Sequence, residues 1–133
     1  MPIQYLNPRN DPYEKYGLNP GAVANGFVFA GGMALDLNTL KRLPEAVTIA
    51  DETRLALKEI EDVIAAAGCT LRDIVKVTCY LSDDSYRREF WEAYTEVMGP
   101  GPYPARCTFV VGIAGDCRVE IDAIAVVPEK ARK

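Results

Sequence analysis

Two charged residues stand where the interior of a sheet is expected. The segment YPARCTFVVGIAGDCRVEIDAIAVV, Tyr103 to Val127, holds two apolar runs of strand length around a Gly-Asp break; the first opens on Arg106 and the second carries Glu120. A planar guanidinium suits a carboxylate through paired, charge-assisted hydrogen bonds, and a glutamate can take a proton from water. Burying either charge is costly unless it is paired or held for a ligand. The residues alone leave two readings open: an Arg–Glu bridge at a subunit interface, or an anion-binding arginine at a cleft with a carboxylate beside it. Strand alternation places Arg106, Thr108, Val110 and Gly112 on one face of the first run, with Cys107 and Phe109 on the other. In the second run Glu120, Asp122, Ile124 and Val126 oppose Val119, Ile121, Ala123 and Ala125.

Composition narrows the chemistry. The chain has 133 residues and no histidine, which removes Ser-His-Asp and Cys-His nucleophilic catalysis and most zinc chemistry. The four cysteines, Cys69, Cys79, Cys107 and Cys117, form no C-x-x-C pair, so neither a metal site nor a disulfide framework is expected. A net charge of −4 with no run of lysine and arginine longer than two argues against nucleic acid as the main partner. No charged-then-apolar leader opens the chain, and no apolar run reaches membrane-spanning length. The expectation is a cytoplasmic protein with reduced, mostly buried thiols and no membrane partner.

The elements that must position these charges follow from periodicity. The first twenty residues, rich in Pro, Asn and Tyr, read as an irregular arm. GAVANGFVFAGG holds two short apolar runs around Asn25-Gly26, the favoured two-residue hairpin turn. Thr48 to Ala67 reads as a helix, with Thr48 and Asp51 as a capping box and Gly68 as the stop. Its apolar face runs through Ala56, Leu57, Ile60, Val63 and Ile64, and Glu52, Lys58, Glu59, Glu61 and Asp62 read as mostly solvated. Asp73 to Ser82 alternates as a strand, with Ile74 on one side and Val75 on the other. A shorter helix spans about Asp84 to Met98, and the two final runs read as a hairpin ending in the basic tail EKARK. The order β-β-α-β-α-β-β, undivided over residues 1–133, predicts one α+β domain: a mixed sheet with helices on one face. The other face, lined with Val, Phe and Ile, predicts a homo-oligomer.

At this point the chain resembles a known family. PAR followed by a strand and VEIDAIAVV, together with NGFVFAGG, AAAGCTLRDIVKVTCYLSD and EAYTEVMGPGPYPAR, is similar to the RidA (YjgF/YER057c/UK114) pattern over about the whole chain. The resemblance implies a fold like that of trimeric chorismate mutase and a homotrimer with clefts between subunits. It also implies cofactor-independent hydrolysis of 2-imino or 2-enamino acids to 2-keto acids and ammonia. By the same resemblance Arg106 would clamp the substrate carboxylate, Glu120 would position the water, and the backbone at Gly31 would line the pocket. An arm tyrosine, Tyr16 with Tyr13 and Tyr5 as rivals, would close it.

The departures concern the pocket. The family's Ser-Gly-Gln reads Ala30-Gly31-Gly32, which implies a hydroxyl and an amide lost beside the site. A frequent asparagine falls at Trp91, whose ring either walls the pocket or packs an interface. A pocket cysteine of some members falls at Thr108, while Cys107 is expected to point into the core. Three functions stay in view: the deaminase, with one specialised for a catabolic intermediate as its variant; a non-catalytic trimer binding a keto acid; and a ribonuclease, which the acidic charge and the lack of histidine disfavour.

Overall fold

The computed structural model describes residues 2–131; Met1 and the end of the basic tail, Arg132 and Lys133, lie outside them. Its strands are β1 (Gln4–Leu6), β2 (Gly21–Ala24), β3 (Phe27–Met33), β4 (Leu35–Asp36), β5 (Lys41–Arg42), β6 (Ile74–Leu81), β7 (Ala105–Val110) and β8 (Val119–Val126). Two helices, α1 (Ile49–Ala65) and α2 (Arg87–Met98), complete the architecture.

Local chemistry sets the boundaries. Asn25 and Gly26 both adopt positive φ, 52° and 80°, so the β2–β3 hairpin turns with the hand that matches strand twist. Thr48 accepts from the Asp51 N–H at 3.0 Å while Asp51 accepts from the Thr48 N–H at 3.3 Å, the reciprocal cap read from the sequence. Asp83 accepts from the Ser85 N–H and opens a short 3-10 turn before α2, so the regular helix begins three residues later than its periodicity suggests.

Six strands form one sheet in the order β1-β2-β3-β8-β6-β7. All neighbours run antiparallel except β6 and β7, which are parallel. The last two strands are therefore not a hairpin, because β6 lies between them. Nor is the arm wholly irregular, since Gln4–Leu6 adds an edge strand to β2. Strands β4 and β5 make a separate small hairpin.

Both helices cover one face. Val28, Val77, Cys79, Leu81, Val119, Ile121, Ala123 and Ala125 point into it and meet Leu57, Ile60, Ile64 and Phe90, all essentially buried. A bulge in β6 between Ile74 and Lys76 turns Ile74 into this core and leaves Val75 exposed, reversing their simple alternation. Helix α1 approaches β3 so closely that a Cβ on Gly32 would lie 2.2 Å from the Ala56 carbonyl oxygen. The opposite face stays open: Phe27, Phe29 and Phe109 are each about half exposed, and Phe109 stacks on Tyr80 with ring centroids 6.4 Å apart.

Candidate functional site

Glu120 projects from β8 onto the open face, level with Met33 of β3 and Tyr80 of β6. Half-burial, and then the neighbouring Asp122, push its pKa above the ordinary carboxylate value. It stands at the edge of a cleft of about 270 Å³ that also includes Tyr13, Tyr16, Gly31, Met33 and Glu59. Gly31 presents bare backbone here, since a Cβ on it would meet nothing closer than the Ile121 carbonyl oxygen at 4.0 Å.

The arm is tied over this cleft by side-chain hydrogen bonds. The Tyr16 hydroxyl donates to the Leu37 carbonyl at 3.0 Å. The Tyr13 hydroxyl donates to Glu59 Oε2, and Glu59 Oε1 accepts the Met33 N–H at 3.0 Å. Burial raises the pKa of Glu59, with these two bonds and Arg9 pulling the other way. Tyr13 is pushed above the usual phenol value by burial and by its carboxylate partner. Both tyrosines thus line the cleft, whereas Tyr5, 63% exposed, borders a shallower hollow with Gly31 and Asp122.

Glu52 and Glu59 are buried, not part of a solvated helix face. They occupy the stripe of Ala56, Ile60 and Val63, and a carboxylate at a core position of the heptad-like pattern is the signal that marks them. Glu52 accepts from the Arg118 N–H at 2.6 Å, the Val119 N–H at 3.0 Å and Arg118 Nε at 2.8 Å. Arg118 also donates to the Ala46 and Val47 carbonyls. This knot fixes the start of β8 two residues before Glu120.

Arg106 lies elsewhere. Its register partner on β6 is Val77, so it faces the helix layer, with its guanidinium 5.1 Å from the Tyr94 ring centroid and 5.9 Å from that of Phe90. These aromatic faces hold the cation at the outer edge of the sheet. Thr108, half-buried, shares that face, and Trp91 follows Phe90 on α2 with 40% of its surface exposed. Tyr94 is buried, its hydroxyl lacks a hydrogen-bond partner among the described residues, and burial pushes its pKa up to about 12. One chain therefore gathers Tyr16, Gly31 and Glu120 at one place, and Arg106 and Thr108, with Trp91 on the adjoining helix, at another.

Cys107 does point away from Arg106, but outward. It is exposed on the open face, because the helices cover the side that carries Arg106. Ala30 and Gly32 face the helices too: Ala30 is 3% exposed, and Gly32 abuts α1. Gly31 and Gly32 both line the cleft with backbone, but a side chain at 32 would run into α1, so no amide can project from that position into the cleft. Cys69, Cys79 and Cys117 are buried and free. Among the described residues no group of three or more Cys, Asp or Glu is placed to hold a metal ion, and no described helix is long and apolar enough to cross a membrane.

Known proteins share this sequence and fold. Residues 9–127 match the family described as endoribonuclease L-PSP. A RutC family protein of Synechocystis is 33% identical over 112 residues, covering 83% of this chain and 85% of its own length. The 2-iminobutanoate/2-iminopropanoate deaminase of Mus musculus is 34% identical over 98 residues, covering 73% and 70%. The crystal structure of a Rid family protein from Yersinia pestis superposes with a TM-score of 0.82 at 26% identity, covering 95% of this chain and 100% of that one. The chain belongs to the endoribonuclease L-PSP family, the RidA (YjgF) family that its sequence motifs resemble.

Proposed function

We propose that the protein hydrolyses 2-imino and 2-enamino acids to 2-keto acids and ammonia, in sites that each need two copies of the chain. The observation that carries this reading is the placement of Glu120, half-buried in a largely apolar cleft, with Arg106 facing the other side of the same sheet. A small imino acid needs both a cation for its carboxylate and a base for water. An Arg106 edge from a second copy supplies the cation, and the exposed phenylalanine-rich face gives that copy a surface to cover. A homotrimer satisfies this with three equivalent sites. The relative described as a deaminase supports the reaction class.

The chemistry asks little of the protein. Arg106 holds the carboxylate through two hydrogen bonds and fixes the imine carbon near Glu120. Glu120 takes a proton from water as the oxygen bonds to that carbon, and the C=N π pair moves to nitrogen, which is protonated. The carbinolamine's hydroxyl proton is then relayed by Glu120 to the amine nitrogen, the oxygen's electron pair forms the C=O bond as the C–N bond breaks, and ammonia leaves a 2-keto acid. The balance is imine plus water to ketone plus ammonia, and no cofactor enters it.

The same proposal takes residues 1–133 as one domain, since a single sheet and core carry all the main elements. It places the protein in the cytoplasm on the strength of its free cysteines and assigns it no membrane or nucleic-acid partner. The net charge of −4 supplies no phosphate footprint. A keto-acid binder without turnover is the alternative; of its support at Ala30, Gly32 and Trp91, the first is buried under the helices and the second has no room for a side chain beside α1.

The test is a coupled assay in which an amino-acid oxidase makes 2-imino acids and semicarbazide traps them. Wild type is expected to slow semicarbazone formation, and Arg106→Ala to lose that effect. Equal activity of the two proteins would overturn the mechanism.

A further inference from the structure

We propose that the Glu120 cleft selects imino acids with a large aliphatic side chain and that Leu40 sets this preference. The inference rests on the deaminase reading of the same cleft. Leu18, Met33, Leu35, Leu37 and Leu40 line it, and three of these belong to the β4–β5 hairpin and its turn. Leu40 is the residue that stands out. It holds φ at +59°, a left-handed conformation that strains a leucine, whereas glycine or asparagine adopts it readily. Nor is the strain offset by burial, because Leu40 remains 46% exposed beside the cleft. A strained, exposed leucine brings no stability to a turn; what it brings is an aliphatic surface at the mouth of a pocket.

The wall is held in place. The Leu40 N–H donates to the Asp36 carbonyl at 2.7 Å, and the Leu43 N–H to the Ala34 carbonyl at 2.9 Å. Arg42 donates its N–H to Asp116 Oδ1 at 2.6 Å and its Nη1 to the Asp116 carbonyl at 3.0 Å. Of the polar side chains of the cleft, Tyr13 and Glu59 bond each other and Tyr16 bonds the Leu37 carbonyl, which leaves Asn19 and Glu120. A polar substrate side chain would lose its water there and find few partners, while an aliphatic one meets a preformed apolar lining. The cleft volume of about 270 Å³ leaves room for more than the methyl group of an alanine-derived imine.

The experiment compares the intact protein on imines made from leucine, alanine and asparagine, the last close to leucine in size but polar. Wild type should favour the leucine-derived imine by about tenfold or more in kcat/KM over each of the others. Leu40→Gly should remove most of that preference while its Tm stays equal or rises, because the strained φ is relieved. An alanine or asparagine preference in wild type, or an unchanged ratio in a folded Leu40→Gly, would overturn the proposal. If no imine is hydrolysed, the deaminase reading fails on its own. Calorimetry with 4-methyl-2-oxopentanoate and pyruvate then decides the apolar wall: tighter binding of the former, lost in Leu40→Gly, upholds it, and equal binding overturns it.

Discussion

Arg106 and Glu120 project from opposite faces of one sheet, two strands apart, with β6 between their strands. An arginine packed on Phe90 and Tyr94 cannot serve a carboxylate ligand at Glu120 of its own chain without crossing the sheet. The pairing proposed for catalysis therefore depends on association. Static light scattering should give three times the monomer mass. Phe29→Glu, on the open face away from Glu120 and Arg106, should lower that mass and abolish activity together. A fully active monomer would contradict the two-copy site.

Adjacent glycines should behave in opposite ways. Gly32 faces α1, where a Cβ would lie 2.2 Å from the Ala56 carbonyl oxygen, so Gly32→Ala should destabilise by about 1–3 kcal/mol or more in urea unfolding. Gly31 faces the cleft with open space around its missing Cβ. Gly31→Val should fold normally and raise KM by occupying the site. A stable Gly32→Ala would argue against the close packing of α1 on β3.

The Glu52–Arg118 knot is predicted to hold the start of β8. Glu52 is fully buried and accepts three hydrogen bonds from Arg118 and Val119. Glu52→Ala should cost about 3–5 kcal/mol, because it strands two backbone donors and a partly buried guanidinium. Thermal or urea unfolding measures it. A loss no larger than that of an exposed helix substitution would show that the knot is dispensable.

The direction of the Glu120 shift sets the expected pH dependence. Burial and Asp122 raise its folded pKa, so the base is lost by protonation at a higher pH than for an ordinary glutamate. In the assembled site the Arg106 of a second copy pulls the other way, so the prediction is relative: Asp122→Asn should move the acid limb of kcat/KM to lower pH. Stability carries the same sign: the folded state binds this proton more tightly than the unfolded chain. The group's contribution is thus present at low pH and lost as pH rises through its folded pKa. An acid limb unmoved in Asp122→Asn would contradict this environment.

Much of the local structure was legible. Asn25-Gly26 and the Thr48–Asp51 cap are short-range signals whose chemistry is complete within a few residues, and both are found. The alternation of residues 105–110 and 119–126 also holds. What alternation does not contain is which face the helices cover, so the expectation of a core Cys107 fails and the thiol lies outside. Nor does local sequence encode that β6 inserts between β7 and β8, a long-range pairing that separates Arg106 from Glu120. Glu52 and Glu59 carry the charge of a solvated face, but their place on the Ala56–Ile60–Val63 stripe puts them in the core. Gly32 read as a lost pocket group, although the contact that excludes a side chain there comes from a helix distant in sequence.

The two-copy site is tested most directly by complementation. Arg106→Ala and Glu120→Gln chains, each inactive alone, would be co-expressed with different tags, and the mixed oligomers purified and assayed for imine hydrolysis. If one copy supplies the arginine and its neighbour the glutamate, every mixed trimer holds one intact site in three, about a third of the wild-type rate. Mixed oligomers no more active than either variant alone would contradict the account.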